Sequence, residues 1–338
     1  MAEARPRPTL EQVAARAGVS RATVSRVVNG SNSVNATLAA RVREVIDELN
    51  YVPNQAARAL MTGQTNVVAL VAAETDDRVF GDPFFSAITR GVSKVVSGAG
   101  RQLMLFMSDG DNHLGDIAGF ALGGHCDGVL LISEHGRHRL AAELSQAGVP
   151  VVIGGRPLDP TIRVAYVDND NIAGGYLAAH HLTHTCGRDR VATIAGPQDM
   201  SAGVDRLLGF SRGIGGPLDD RQVSYGDFTS ASGVAAMSRL LEEVPLLNGV
   251  FAASDLMALG ALSVLKRHGR RVPDDVALIG FDDIALAAES SPALTTIRQD
   301  TVQQGRRMAE VLLAEIDGRS APGVGAVLPV ELIIRESA

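Results

Sequence analysis

Apolar side chains recur three and four residues apart near the N-terminus, then give way to short unbroken runs separated by helical patterns. In TLEQVAARAGVSRATVSRVVN, from Thr9 to Asn29, Val13, Ala14 and Ala17 make one stripe and Val24, Val27 and Val28 another. That spacing predicts two short helices packed face to face. Thr9 and Gln12 stand at capping-box spacing, so a helix can start there. Gly18 can take the left-handed conformation that ends it, and Ser20 is a good N-cap for the next. Beyond Asn35, a candidate N-cap, Leu38, Val42, Val45, Ile46 and Leu49 predict a third helix closing a small core. Pro53 lacks an amide proton and restricts Val52, so the helix ends before it. Residues 1–52 thus read as an all-α head.

Residues 53–65 read as a hinge and linker. NQAARALMTG has room for only about two helical turns, and a helix so short is unstable alone in water. Ala56, Ala57 and Ala59 would let a second copy lie close, Arg58 offers a phosphate or base contact, and Leu60 has no core nearby. Two readings follow. Leu60 is a wedge inserted between base pairs from the minor groove, or the segment is a plain linker whose Leu60 packs on the body.

From residue 66 the runs VVALVAA, QLMLFM, GVLLIS and VPVVIGG alternate with amphipathic stretches, and VAYVD, RVATIAG, VSYGD, GVFAAS and DVALIGF repeat the habit. Apolar strands alternating with helices imply parallel sheets covered on both faces. Two doubly wound halves side by side place a ligand in a cleft beyond the strand C-termini. The tail, AVLPVELIIRESA, reads as one last strand.

Chemistry enters on the second helix of the head. With its valines turned to the first helix, Arg21, Ala22, Ser25, Arg26 and Asn29 fall on the other side. Arginine pairs with guanine edges, and short residues let a helix sink into the major groove. A helical hairpin with a solvated arginine face fits the bare pattern equally well. Charge changes the picture: residues 1–63 hold eight arginines, no lysine and five acids, a net +3, so the total of −7 leaves −10 on the remainder. An acidic body is repelled by phosphates, so DNA affinity must be concentrated in the head, and two heads would double the contacts. No stretch has the roughly 18 apolar residues of a membrane span, and no apolar run follows the basic N-terminus. A soluble cytoplasmic protein is expected. Cys126 and Cys186 lack metal-ligand spacing and are expected to be buried free thiols.

Together these segments resemble the lactose-repressor/galactose-repressor family of bacterial transcription regulators, from Thr9 to about Arg335. The markers TLEQVAARAGVSRATVSRVVNG, YVPNQAARAL, DPFFSAITRGV, DNIAGGYLA, RLLGF, ASDLMALGAL, and RVPDDVALIGFDDI with SPALTTIRQD occur in the family's order. The resemblance implies an α/β protein with a helix-turn-helix head and a two-lobed, doubly wound, periplasmic-binding-protein-like body of type I. Lobe 1 would span about 66–165 and 296–325, and lobe 2 about 166–295 and 326–338. It further implies a homodimer whose hinge helices fold on pseudo-palindromic double-stranded operator DNA, each inserting Leu60. A mono- or disaccharide in the cleft would change operator affinity. The extra C-terminal helix of tetrameric relatives is missing, so a dimer is expected.

By the same resemblance the DNA-contacting positions are Thr9, Ser20, Arg21, Ala22, Thr23, Ser25, Arg26, Asn29, Asn35, Tyr51, Asn54, Ala57, Arg58 and Leu60. The ligand positions are Phe84, Phe85, Arg206, Phe228, Ser254 and Asp282. Sugars are held by aromatic faces and by forks of charged or amide groups, although core packing also accounts for each phenylalanine. Ser254 stands where the family usually has asparagine, Gly155 and Arg156 where many relatives have aspartate, and SRGIGGPLDD is shorter than usual. No cofactor or metal is implied. His180 and His184 have i, i+4 spacing but lack the glutamate of H-E-x-x-H, so with His181 they read as surface histidines. No nucleophile elbow or phosphate loop is present, which leaves an enzyme unsupported. An exported solute-binding protein would share the body but would carry a signal peptide and no head.

Overall fold

The computed structural model describes residues 8–28, 33–52, 63–108, 111–136, 139–319, 323 and 325–338, with backbone alone at 111–113. The chain divides into two units at Thr65 and Asn66. Of the expected DNA contacts, Asn29, Asn54, Ala57, Arg58 and Leu60 lie outside the described residues.

Among the described residues the head holds three helices, α1 (Leu10–Ala17), α2 (Arg21–Val28) and α3 (Ala36–Leu49). The capping box is complete: the Gln12 amide donates to Thr9 Oγ1 at 3.3 Å and the Thr9 amide to Gln12 Oε1 at 2.9 Å. Gly18, at φ +64°, ends α1. Ser20 Oγ accepts the Thr23 amide at 3.2 Å and so starts α2, while Asn35 Oδ1 accepts the Thr37 amide at 2.9 Å and starts α3. Val13, Ala17, Val24, Val27, Val42 and Val45 meet in one apolar core. Tyr51, expected as a DNA contact, joins this core at 8% exposure, just after α3.

The first lobe of the body runs β1 (Val67–Ala72), α4 (Asp76–Gly81), α5 (Pro83–Gly98), β2 (Gln102–Met107), α6 (Asp111–Leu122), β3 (Gly128–Ile132), α7 (Leu140–Gln146), β4 (Val151–Gly154) and β5 (Ala165–Asn169). The second continues with α8 (Asn171–His180), β6 (Val191–Ala195), α9 (Ser201–Gly213), β7 (Val223–Tyr225), α10 (Ser230–Glu243), β8 (Gly249–Ala252), α11 (Asp255–Arg267), β9 (Ala277–Asp282), α12 (Ala285–Glu289) and β10 (Thr295–Gln299). Then come α13 (Thr301–Ile316), β11 (Gly325–Leu328) and β12 (Val330–Ile333). The sheets have orders β11-β5-β4-β3-β1-β2 and β12-β10-β9-β8-β6-β7, and among the described residues only the β10–β12 pair is antiparallel. Each is covered by apolar clusters on both faces.

Three of the expected boundaries move. Strand β5 belongs to the first sheet and β10 to the second, so the chain crosses between lobes at Asp170 and at Asp300 rather than near 165 and 296. Instead of a single last strand, the tail makes two, one in each sheet, split at Pro329, which has no amide proton to carry one ladder across. Helix α13 returns to the first lobe, where Met308, Ala309 and Leu312 share a core with Val68, Leu70 and Ile88. Among the described residues no helix is long and apolar enough to cross a membrane.

Candidate ligand cleft and DNA-reading surface

Strand ends from both sheets meet at one cleft. It brings together all six expected ligand residues, Phe84, Phe85, Arg206, Phe228, Ser254 and Asp282. Arg206 is at its centre. From α9 its Nε donates to Asn171 Oδ1 at 2.8 Å, Nη1 to the Ala253 carbonyl at 2.6 Å, and Nη2 to Gln299 Oε1 at 3.4 Å. Nη1 also lies 3.5 Å from Asp282 Oδ1, and the guanidinium covers the Phe281 ring with 3.5 Å to its centroid. A charge buried this deeply persists only when paired and hydrogen-bonded.

Asp282 is the counter-charge. Burial, outweighing the attraction of Arg206, pushes its carboxyl up to about 7. Gln299 Nε2 donates to its Oδ1 at 2.6 Å, and the Asp255 amide, at the first turn of α11, also donates to it, where the helix dipole favours negative charge. Asp255 itself is fully buried, accepting the Thr296 hydroxyl at 2.6 Å and the Ile284 amide at 2.9 Å. Its carboxyl is held well above the usual range by burial and then by Asp282.

The aromatic positions divide. Phe84 is half-buried beside the cleft, at the start of α5, where Asp82 Oδ1 accepts its amide at 2.9 Å. Phe85, one helical step on, is 2% exposed and packs in the first-lobe core, so it touches the cleft only as floor. Phe228 has two guanidiniums near its ring, with 5.8 Å from its centroid to Arg78 and 5.6 Å to Arg206. A Cβ at Gly196 would strike that ring at 2.5 Å. Phe228 (φ +69°) and Asp282 (φ +117°) occupy a backbone region that favours glycine. Such conformations cost energy and persist where the surroundings enforce them, often at binding sites. Ser254 differs from expectation: its hydroxyl accepts the Met257 amide at 3.2 Å and donates to the Phe228 carbonyl at 3.3 Å. It therefore caps α11 and fixes Phe228, with little capacity left for a ligand.

Several cleft residues escaped the sequence reading. Asn171, Gln299 and Gln304 lie at the two lobe crossings, where the polar run Asp168-Asn169-Asp170-Asn171 was the available signal. Arg156, after β4, reaches across to α9, with Nε 2.7 Å from Asp205 Oδ2 and Nη2 2.6 Å from Asp205 Oδ1. Two further bridges join the lobes: Arg78 Nη1 donates to the Asp227 carbonyl, and His135 Nδ1 stands 2.8 Å from Asp199 Oδ2. The room left between the walls is about 90 Å³, less than the ~300–1,000 Å³ of ordinary small-ligand pockets. A sugar-sized ligand has to part them.

In the head, Arg21, Ala22 and Arg26 are exposed on α2 and Ser25 is half-buried. Arg21 Nε pairs with Glu11 Oε1 at 3.1 Å, while Thr9, Ser20 and Asn35 are engaged as caps and Ser20 Oγ lies 2.9 Å from Thr23 Oγ1. Elsewhere, His181 is buried rather than a surface residue, because a π-helical turn over His181–Thr185 carries it inward. His180 and His184 stack on the outside with centroids 4.3 Å apart. Both cysteines are free, Cys126 buried with its thiol pushed up to about 11 by burial and Cys186 half-buried.

Comparison with known proteins places these two units. The profile of bacterial regulatory proteins of the lacI family matches residues 9–54, and that of the periplasmic binding protein-like domain matches 179–338. The HTH-type transcriptional regulator CelR of Thermobifida fusca is 49% identical over 339 residues, 99% of either chain. A solved CelR–cellobiose complex is similar at TM-score 0.79 and 47% identity, covering 98% of this chain and 100% of that one. The lac repressor dimer bound to operator and the anti-inducer ONPF is similar at TM-score 0.86 and 26% identity, covering 98% and 99%. The chain therefore belongs to the lacI family of bacterial regulatory proteins and is a DNA-binding transcriptional regulator, not an enzyme.

Proposed function

We propose that the protein is a homodimeric cytoplasmic repressor that binds pseudo-palindromic operator DNA and changes its affinity when an uncharged disaccharide, cellobiose first among candidates, enters the cleft. The buried group of Arg206, Asn171, Gln299 and Asp282, flanked by the rings of Phe84 and Phe228, carries this reading. It offers charged and amide forks beside aromatic faces, the arrangement that holds sugars. The likeness to a CelR–cellobiose complex at 47% identity supports the choice of sugar. Dimerisation is supported by β2, a free sheet edge with Met104, Leu105 and Met107 each at least 37% exposed. An exposed apolar edge normally needs a cover, and a second copy supplies one.

In this reading Thr9, Ser20, Thr23, Asn35 and Tyr51 shape the head, Arg21, Ala22, Ser25 and Arg26 face the half-site, and the hinge with Leu60 couples the two heads to the lobes. Sugar binding alters lobe orientation, and that coupling is worth roughly 5- to 150-fold in operator affinity. Calorimetric titration of the full-length protein with cellobiose, maltose and lactose, followed by operator binding with and without the tightest ligand, tests the reading. Absence of heat and of any shift in melting temperature with every sugar would remove it. Arg26→Ala is expected to lower the ratio of operator to random-sequence affinity about tenfold, since base contacts specify and each is worth about 1–3 kcal/mol. Fluorescence anisotropy on both DNAs checks this; a uniform loss on both would reduce Arg26 to a phosphate contact.

A further inference from the structure

Polar side chains in the cleft wall satisfy one another on the second lobe but not on the first. Glu134, which follows β3, and Asn169, which ends β5, both border the cleft, and each keeps a buried oxygen, Oε1 and Oδ1, without a hydrogen-bond partner. Unpartnered buried acceptors are uncommon in folded proteins. Two in one cleft call for donors that arrive from outside.

The neighbours fix which atom of Asn169 is the oxygen. Its Nδ2 donates to Gln299 Oε1 at 2.9 Å and to Gln304 Oε1 at 3.0 Å. Neither glutamine can be turned round, because Gln299 Nε2 donates to Asp282 Oδ1 at 2.6 Å and Gln304 Nε2 to the Val167 carbonyl at 3.0 Å. The Glu134 carboxylate accepts the Ala141 amide at the first turn of α7, which leaves Oε1 over, and burial pushes the carboxyl up to about 7. Nearby, the charge of Arg78 is balanced by two acids, Glu74 at 3.6 Å and Asp82 at 3.8 Å, so this wall has no surplus cation; the Arg78 Nε is itself a buried donor without a hydrogen-bond partner, which a hydroxyl oxygen can accept from while the same hydroxyl donates to an acceptor.

Resting on the reading of the cleft as a sugar site, we propose that Glu134 and Asn169 are first-lobe ligand contacts, each accepting a hydroxyl of an uncharged saccharide and together discriminating against phosphorylated sugars. Hydroxyls bring the missing donors. A phosphate ester brings more acceptors and a negative charge toward Glu134 and Asp168. An ammonium could also donate, so an amino sugar belongs in the test.

Calorimetry and thermal melts of the full-length protein decide it, with cellobiose, maltose, lactose, cellobiose 6-phosphate and glucosamine as probes. Glu134→Gln keeps an oxygen for the Ala141 amide and turns an NH₂ toward the cleft. At about pH 8, where a carboxyl raised to about 7 is mostly ionised, it is expected to weaken the best uncharged disaccharide at least about tenfold, as loss of a hydrogen bond to a charged acceptor does, with the ligand-free melting temperature unchanged or raised. Asn169→Ala is expected to weaken binding in the same direction while lowering the melting temperature, since its bonds to Gln299 and Gln304 go too; if it does not fold, Glu134→Gln decides alone. The wild type is expected to bind the phosphate ester at least about tenfold more weakly than cellobiose. Undiminished affinity in Glu134→Gln overturns the assignment, as does a joint fall of affinity and melting temperature in that variant, the signature of a helix anchor. Equal binding of the phosphate ester, or preference for glucosamine, also overturns it. If the wild type binds no uncharged sugar, the sugar reading and this assignment both fall; if it binds and Glu134→Gln is unaffected, only the assignment falls.

Discussion

Arg206→Met is expected to give a regulator that still binds operator but no longer responds to sugar. The guanidinium supplies donors to Asn171, the Ala253 carbonyl and Gln299, and its charge faces Asp282, Asp168 and Asp255. Methionine fills much of the volume over Phe281 yet removes the counter-charge of Asp282, while Asp168 keeps only that of Arg156. Removing one partner of a buried ion pair destabilises a protein by about 3–5 kcal/mol, so the melting temperature should fall along with ligand affinity, the latter by about a hundredfold or more. Arg206→Lys should rescue little, because a point charge cannot serve three acceptors spread around a planar fork. Operator affinity of the ligand-free protein should stay near wild type, since the head folds on its own apolar core of Val13, Val24, Val42 and their neighbours. Anisotropy with labelled operator, with and without sugar, separates the two effects. A sugar response within about twofold of wild type would show that the ligand does not depend on this arginine.

Much of this arrangement is legible in the sequence because periodicity reports burial directly. The stripes Val13, Ala14, Ala17 and Val24, Val27 become the head core, and nearly every apolar run in the body becomes a strand. Which sheet a strand joins is another matter. VAYVD and TTIRQ look like their neighbours, and their assignment depends on which strands they pair with: β5 takes β11, about 160 residues away, while β10 takes β9 and β12. The polar residues that follow them, Asn169 to Asn171 and Gln299 to Asp300, were the better guide, because an apolar strand that suddenly ends in amides and acids is leaving one core for another. Within the cleft, charge was easier to read than shape. Arg206 and Asp282 stand out in the sequence as separate charges and the structure brings them within 3.5 Å, whereas Phe84 and Phe85 differ only by one helical step, and that step sends one ring to the cleft and the other to the core. Ser254 shows the converse: a residue at a ligand position whose hydroxyl the backbone has already taken.

Gly175→Val is expected to disturb the same site from behind. The segments DNIAGGYLA and RLLGF are markers of the family, and their glycines make a helix contact. A Cβ at Gly175 on α8 would run into the Arg206 carbonyl oxygen on α9, and one at Gly209 into the Ile172 carbonyl oxygen. The two helices touch backbone to backbone, and the residue touched is Arg206 itself. A valine there must push α9 away, moving Arg206 relative to Asn171 and Asp282, whose contacts with it lie between 2.8 and 3.5 Å. Overpacking of a close contact typically costs about 1–3 kcal/mol, and a β-branched residue against backbone belongs at the upper end. The expected result is a lower melting temperature together with weaker sugar binding, without any change in a residue that touches the sugar. Gly119→Ala on α6 is the matched control: a Cβ there meets nothing within 4 Å, so alanine should gain up to about 1 kcal/mol from helix propensity alone. If Gly175→Val melts with the wild type and binds sugar equally, close packing of α8 on α9 is not what holds Arg206 in place.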